Sequence, residues 1–306
     1  MVRAFHAALG VARGTARSTS DIFGGAAKAL ITPAGVLGAA IELAWLSTHL
    51  ALYPFGVLGR PDDSEGHGYS LEDLPPVQRG LVIGDVEAAG TPILLVHGMV
   101  DNRSIFTLLR RGLRRRGFGR VVSINYSPLT TDVRVAAARL AEEVEALVVE
   151  TGYERIHVVG HSLGGLIARY YVTRLGGDER VHTLVTLGTP HEGTVNAYAW
   201  PSKLCRQLRP DSTLMRELSA AVPGCQTRFV SYWSDLDQMI FPQRNARLRH
   251  ADLAVRNVEM HAIGHMSLPI SGDVVHGIST ALAHLGTDGS LLTAGVTELN
   301  PLGRRG

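Results

Sequence analysis

The sequence predicts an α/β protein in which a mostly parallel central sheet is flanked by helices. Two observations carry this. From Gly80 onward, short β-branched or apolar runs alternate with helical patterns, the signature of a sheet wrapped by its own crossover helices. Four of those runs also end beside a residue able to do chemistry, which is where open α/β sheets bind ligands.

The predicted strands are Leu81 to Val86, Ile93 to His97, Val121 to Tyr126, Ile156 to Gly160, Thr183 to Leu187, Thr227 to Tyr232 and Val255 to Ala262. Helices are predicted over Ser104 to Arg116, Thr131 to Glu150, Leu163 to Leu175 and Ile270 to Leu285. The second contains Ala136 to Val149, rich in the strong helix formers Ala, Glu and Leu.

Composition divides the chain near residue 60. Ala29 to Gly59 carries one formal charge, Glu42, whereas Arg60 to Glu65 is polar and Leu74-Pro75-Pro76 reads as a linker. Residues 1–76 are therefore expected to form an apolar helical appendage and linker, 77–286 the sheet domain, and 287–306 a loose tail rich in Gly, Thr and Ser. Met1 to Arg17 lacks an uninterrupted apolar core, so no cleaved signal peptide is read there. Ala34 to Tyr53 has the roughly 20-residue length of a membrane span. Glu42 near its middle opposes insertion, so a span, a helix lying in the interface and a helix packed on the core all remain open. If it spans, Arg3, Arg13, Arg17 and Lys28 place the N-terminus inside and the sheet domain outside the cytoplasm. The alternative is a cytoplasmic protein.

The 306 residues carry a net charge of +2 with 45% hydrophobic and 19% charged residues, an ordinary folded composition. Arg110 to Arg116 (RRGLRRR) is the densest basic run. It falls on a predicted amphipathic helix without interleaved aromatic residues, so it reads as a solvated face and not as a nucleic-acid site. Anionic headgroups are the other chemistry it suits. Cys205 and Cys225 are too few and too far apart for a zinc site, and no metal is expected. They read equally as two thiols or, outside the cytoplasm, as one disulfide.

The strongest chemical signal is Gly160-His161-Ser162-Leu163-Gly164-Gly165, directly after RIHVV and before LGGLIARYYV. A serine in G-x-S-x-G between strand and helix sits on a sharp turn that lifts its hydroxyl above the sheet. The following helix aims its N–H groups at the site. Serine needs a base, and the base needs an acid. In this arrangement the chain order is Ser, acid, His. Of thirteen histidines, His250, His261, His265, His276 and His284 come late enough. His261 is placed inside a strand and His276 and His284 inside a helix, whereas His265, in Gly264-His265-Met266, follows the strand VRNVEMHAIG at the start of the loop into the last helix and is taken as the base. The acid should follow RFVSY, where Asp235 and Asp237 both qualify; only one can face the imidazole, and the other is expected to bond its own nearby backbone. Backbone N–H groups of Met99, after the early strand, and of Leu163 are the expected oxyanion donors. His97 and His161 flank the site as structural residues.

LLVHGM, VVGHSLGGLIARYY, TLGTPHEGT, SDLDQMIFP and GHMSLP together resemble a bacterial lipase or esterase of the α/β-hydrolase superfamily, over roughly Gly80 to Leu285. The resemblance implies an α/β-hydrolase fold, hydrolysis of acyl or lipid esters without a cofactor, and a triad of Ser162, Asp237 and His265. An acyltransferase or thioesterase would use the same residues, and a membrane-associated binding protein would keep the fold without the chemistry. In related lipases a lid follows the TPHxGT loop. Here Val195 to Gln226 takes that place, with Trp200, Leu204, Leu208, Leu214, Met215 and Leu218 either sheltering an acyl chain or packing on the core.

Overall fold

The computed structural model describes residues 89–99, 103–125 and 131–283, together with Val36 and Ala40 as single helical positions. The rest of the appendage, the predicted strand over 81–86 and the C-terminal tail lie outside the described residues. Among the described residues no helix is long and apolar enough to cross a membrane.

Among the described residues six strands form one sheet: β1 (Ile93–Val96), β2 (Val121–Ile124), β3 (Ile156–His161), β4 (Val181–Leu187), β5 (Arg228–Ser234) and β6 (Ala254–Met260). Every pairing is parallel and the spatial order is β2-β1-β3-β4-β5-β6. The central strands are buried along almost their whole length and mostly apolar, as a sheet covered on both faces requires. β6, on the edge, alternates exposed and half-buried positions.

Period-two alternation decides which face each side chain serves. Leu94, Val96, Ile156 and Val158 point to one layer, where they meet α2 (Val133–Thr151) and α3 (Leu163–Arg174). Ile93, Leu95, Val159 and Val185 point to the other, against α1 (Thr107–Arg115) and a later helix over Gly272–Leu282. Truncating one such buried leucine to alanine removes about 2–5 kcal/mol.

The helix limits follow local chemistry. Asp132 caps α2 by accepting from Arg134 N at 3.0 Å. Gly152 ends it in the left-handed region, its N–H on Val148 O. The helix predicted from Ser104 is in fact a tight 3-10 turn over Arg103–Phe106 that then relaxes into α1. Asn125 holds its first N–H, and Thr107 Oγ1 donates back to Ser104 O. The last helix begins at Gly272, two residues after the expected Ile270, because Pro269 lies in a separate 3-10 turn.

After β4 the chain forms a 3-10 turn over Val195–Tyr198 and two short helices, α4 (Lys203–Gln207) and α5 (Thr213–Ser219). Ser202 and Ser212 cap them by accepting from Cys205 N and Met215 N. Of the six apolar residues named in this segment, Leu204, Leu208, Leu214, Met215 and Leu218 are buried in the layer shared with α3. Trp200 alone is exposed, at 69%. The five are core residues, since their helical spacing turns one face of each short helix onto α3. Cys205 is buried, Cys225 is half-buried, and both are free thiols.

Candidate active site

The chain passes from β1 outward to β2 and returns on the other side of β1 to β3. Such a reversal opens a crevice at the carboxyl ends of the two strands. Ser162 stands at that end of β3, between strand and α3, at φ 52° and ψ −120°. A positive φ is uncommon for a side chain with Cβ and costs about 1–3 kcal/mol, so the surroundings must hold it. Ser162 N donates to Leu187 O at 2.8 Å, and Ser162 O accepts from Thr189 Oγ1 and Gly165 N.

The turn requires backbone to approach backbone. A β-carbon on Gly164 would lie 2.1 Å from Val96 O, so only glycine lets α3 start against β1. Gly98 lies in the same crevice: its added β-carbon would lie 3.0 Å from Ser162 Cβ. The Gly98-Met99 backbone thus runs beside the serine, while the Met99 side chain is exposed. Leu163, buried, opens α3, and the first N–H groups of a helix have no partner inside it.

His265 lies on the loop after β6 and Asp237 on the loop after β5, both buried. His265 Nδ1 is 2.7 Å from Asp237 Oδ2. The other oxygen, Asp237 Oδ1, accepts from Met239 N and Ile240 N, each at 2.9 Å. Two amides therefore fix the carboxylate, and its free edge faces the imidazole. With Nδ1–H given to the carboxylate, the neutral ring keeps its lone pair on Nε2. The loop is tied down further by Ser234 Oγ, which donates to Ile263 O at 2.5 Å. His161 sits next to Ser162 in sequence, with its ring centroid 4.9 Å from that of His265 and its Nε2 3.2 Å from His265 O. His97 Nδ1 lies 2.9 Å from the carbonyl of Gly98. Both flanking histidines thus brace the backbone of the site.

The structure separates the two aspartates that the residues alone left open. Asp235 does not bond its own turn as expected. It reaches across to the β6 loop, where Oδ1 accepts from Ala262 N at 2.9 Å and Oδ2 lies 3.0 Å from His261 Nδ1. Ala262 is at φ 57°, so Asp235 holds a strained residue three before His265. His261 lies just past the end of β6, not inside it, and is exposed. Its bond to Asp235 raises its pKa above the ordinary value.

Two buried residues beside the site escape a reading of motifs. Arg169 on α3 donates from Nη1 to His191 O at 3.0 Å and from Nη2 to Leu218 O at 2.8 Å. It thereby joins the TPHEGT loop to α5. Burial pushes its guanidinium down to about 9, so it is still a cation at neutral pH. His191 Nε2 lies 2.9 Å from Thr186 Oγ1, and burial together with Arg169 holds its pKa well below the usual histidine value. The one sequence signal is Arg169 itself: it shares a helical face with Leu166 and Thr173 inside LGGLIARYYV, a position that a solvated charge would avoid.

This fold, with a serine at the strand-to-helix turn and a histidine–aspartate pair at the same sheet edge, defines an α/β-hydrolase. Residues 92–253 match the palmitoyl protein thioesterase family, and the chain belongs to it. A triacylglycerol lipase of Pseudarthrobacter phenanthrenivorans is 27% identical over 111 residues, 34% of each chain. The pimeloyl-[acyl-carrier protein] methyl ester esterase of Aeromonas hydrophila is 32% identical over 103 residues, 33% of this chain and 38% of that one. The match thus spans about a third of the length of these curated relatives. Among solved structures, the mature form of a Bacillus licheniformis lipase superposes with a TM-score of 0.53 at 18% identity, covering 64% of this chain and 92% of that one. Aspergillus fumigatus lipase B gives 0.54 at 18%, covering 66% and 53%. At such identities the likeness is one of fold.

Proposed function

We propose that the protein hydrolyses carboxylic esters of acyl or lipid substrates through Ser162, Asp237 and His265. The observation that carries the proposal is the buried 2.7 Å contact between His265 Nδ1 and Asp237 Oδ2, at the edge of the sheet where Ser162 is held on its turn. His265 takes the Ser162 proton as the hydroxyl oxygen attacks the ester carbonyl carbon. Backbone N–H groups of Met99 and Leu163 receive the developing oxyanion. The proton then passes to the departing alcohol as the carbon–oxygen bond breaks, leaving an acyl-enzyme on Ser162. Water, deprotonated by His265, attacks that acyl group and the carboxylic acid leaves. Asp237 keeps the imidazole in the required tautomer and stabilises its cation.

The family match favours one further acyl donor, a thioester, since the leaving thiol changes none of these steps. We also propose that the apolar stretch from Ala34 to Tyr53 associates with a membrane; release of the intact protein by alkaline carbonate would exclude a span.

A fluorophosphonate probe tests the nucleophile. The protein should be labelled covalently and Ser162→Ala should not, with hydrolysis of p-nitrophenyl esters of two to sixteen carbons falling by several orders of magnitude. Retention of more than a few per cent of activity by the purified variant would remove Ser162 from its role. Parallel assays on acyl thioesters then rank the two donor classes.

A further inference from the structure

Ester hydrolysis through the triad leaves one buried cation without a role. Arg169, on α3, is 2% exposed. It forms no ion pair among the described residues: Glu192, the acid whose charge reaches it, lies instead 3.7 Å from Arg249. Its Nε–H meets no acceptor among them either. Burying an unpaired charge and an unsatisfied donor costs stability, and an apolar side chain of similar length would avoid both costs. What a guanidinium adds is geometry. Its planar fork sends Nη1 to His191 O at 3.0 Å and Nη2 to Leu218 O at 2.8 Å, so one rigid group fixes two separate segments.

The first of those segments lies against every member of the triad. Thr189 Oγ1 donates to Ser162 O at 3.0 Å, and His191 N donates to Thr189 O at 2.8 Å, so three hydrogen bonds join Arg169 to the strained serine. Gly188, one residue earlier, faces the other two. A β-carbon on it would stand 3.0 Å from His265 Nδ1 and 3.1 Å from Asp237 Oδ2. At the far end, Thr194 Oγ1 accepts from Phe241 N at 2.9 Å and donates to Met239 O at 3.2 Å. Met239 N in turn holds Asp237 Oδ1 at 2.9 Å. Asn245 closes the loop, with Glu192 N on its carbonyl and its Nδ2 on Gly193 O, both at 3.0 Å. Residues 188–194 thus bridge the serine turn and the acid turn, and Arg169 pins the middle of that bridge to α5.

We infer that Arg169 is a positioning residue for the reaction: buried under the loop, it acts through His191 and Thr189 to hold the Ser162 turn in register with the Asp237–His265 pair. The inference rests on the ester-hydrolase reading of that site. Ser162 sits at φ 52°, a conformation that persists only where its surroundings over-determine it. Without the guanidinium, His191 O and Leu218 O would be buried with no donor. The loop would then shift to satisfy them and carry Thr189 with it. Misplacing the nucleophile against its base by about 1 Å costs roughly 100-fold in turnover, whereas substrate binding loses no contact.

The test compares Arg169→Met and Arg169→Lys in the full chain, with active sites counted by fluorophosphonate titration. On a p-nitrophenyl ester, kcat should fall about 100-fold in Arg169→Met while KM stays within about two-fold of the parent. Arg169→Lys, a cation without the fork, should recover part of that loss. Thr189→Val removes the hydroxyl from Ser162 O. Because both changes break one chain of bonds, the double variant should lose much less than the product of the two single losses. Leu147→Ala, buried near the end of α2, is the control for stability alone and should keep kcat. Hydrogen exchange needs no activity: in Arg169→Met the amides of 189–194 and 214–219 should exchange about 10-fold faster. Parental kcat in Arg169→Met, a loss confined to KM, independent losses in the double variant, unchanged exchange, or an equal fall in Leu147→Ala each overturns the inference. If Arg169→Met does not fold, Arg169→Lys and Thr189→Val complete the same cycle. A parent that the probe does not label overturns the hydrolase reading and this inference with it, whereas a labelled parent beside an Arg169→Met that turns over normally overturns this inference alone.

Discussion

Gly188 offers the sharpest test of how the site is held. It follows β4 at φ 53°, its N–H on Tyr232 O at 2.9 Å. A β-carbon there would stand 3.0 Å from His265 Nδ1, 3.1 Å from Asp237 Oδ2 and 2.9 Å from Leu268 Cδ1. Gly188→Ala therefore has two separable effects. The left-handed backbone alone costs alanine about 1 kcal/mol. The new methyl also presses on both members of the His–Asp pair, and overpacking of this kind adds roughly 1–3 kcal/mol. The expected loss of stability is about 2–4 kcal/mol. Because the methyl is wedged against His265, the imidazole shifts by a fraction of an ångström, and on the proposed mechanism misplacement on that scale costs up to about 100-fold in turnover. Gly152→Ala is the control: Gly152 has φ 73° and nothing within 4 Å of its added β-carbon. It should lose only the backbone contribution and keep full activity. Urea midpoints give the stabilities, and kcat on a p-nitrophenyl ester, normalised by fluorophosphonate titration, gives the chemistry. A Gly188→Ala protein with parental kcat would refute the reasoning, as would a Gly152→Ala protein that loses kcat to the same degree.

Asp237→Asn should lower kcat by about 10³–10⁴-fold, because an amide facing Nδ1 favours the wrong tautomer. Asp235→Asn keeps an acceptor for Ala262 N and should change kcat only a few-fold; equal losses would reopen the choice of acid. His191 supplies a pH dependence. Its folded pKa is depressed, so the unfolded chain takes up the proton first as pH falls, and its contribution to stability, intact above the unfolded value of 6.5, is lost below it. The slope is about 1.4 kcal/mol per pH unit while the folded imidazole stays neutral. Urea melts between pH 7 and 5 should show it, and His191→Asn should flatten the difference. Gly164→Ala, with its β-carbon 2.1 Å from Val96 O, should lose more than about 4 kcal/mol or fail to fold, read by far-UV circular dichroism.

The residues legible in sequence were those whose chemistry is written in local order. G-x-S-x-G after an apolar strand and before LGGLIARYYV specifies a tight turn whatever the rest of the chain does, because only small flanking residues let strand and helix meet there. The alternation of apolar runs likewise specified a parallel sheet covered on both faces, since each strand had to bury both of its sides. His265 could be reached by chain order, as the late histidine that opens the loop between the last predicted strand and the last helix.

Other assignments depended on contacts between segments distant in sequence, about which local pattern carries no information. Asp235 and Asp237 are chemically identical and two residues apart. Only the placement of Ala262 and His265, more than 25 residues later, assigns one carboxylate to a strained backbone and the other to the imidazole. The apolar residues of 204–218 could face a ligand or a core with the same helical spacing, and it was the packing of α5 on α3 that buried them and left Trp200 outside. Arg169 became intelligible only when His191 O and Leu218 O, 22 and 49 residues away, were found to converge on one guanidinium. Sequence specified the turn that presents the serine, because that geometry is local. Tertiary structure decided what surrounds it, because burial and charge pairing are properties of segments brought together by the sheet.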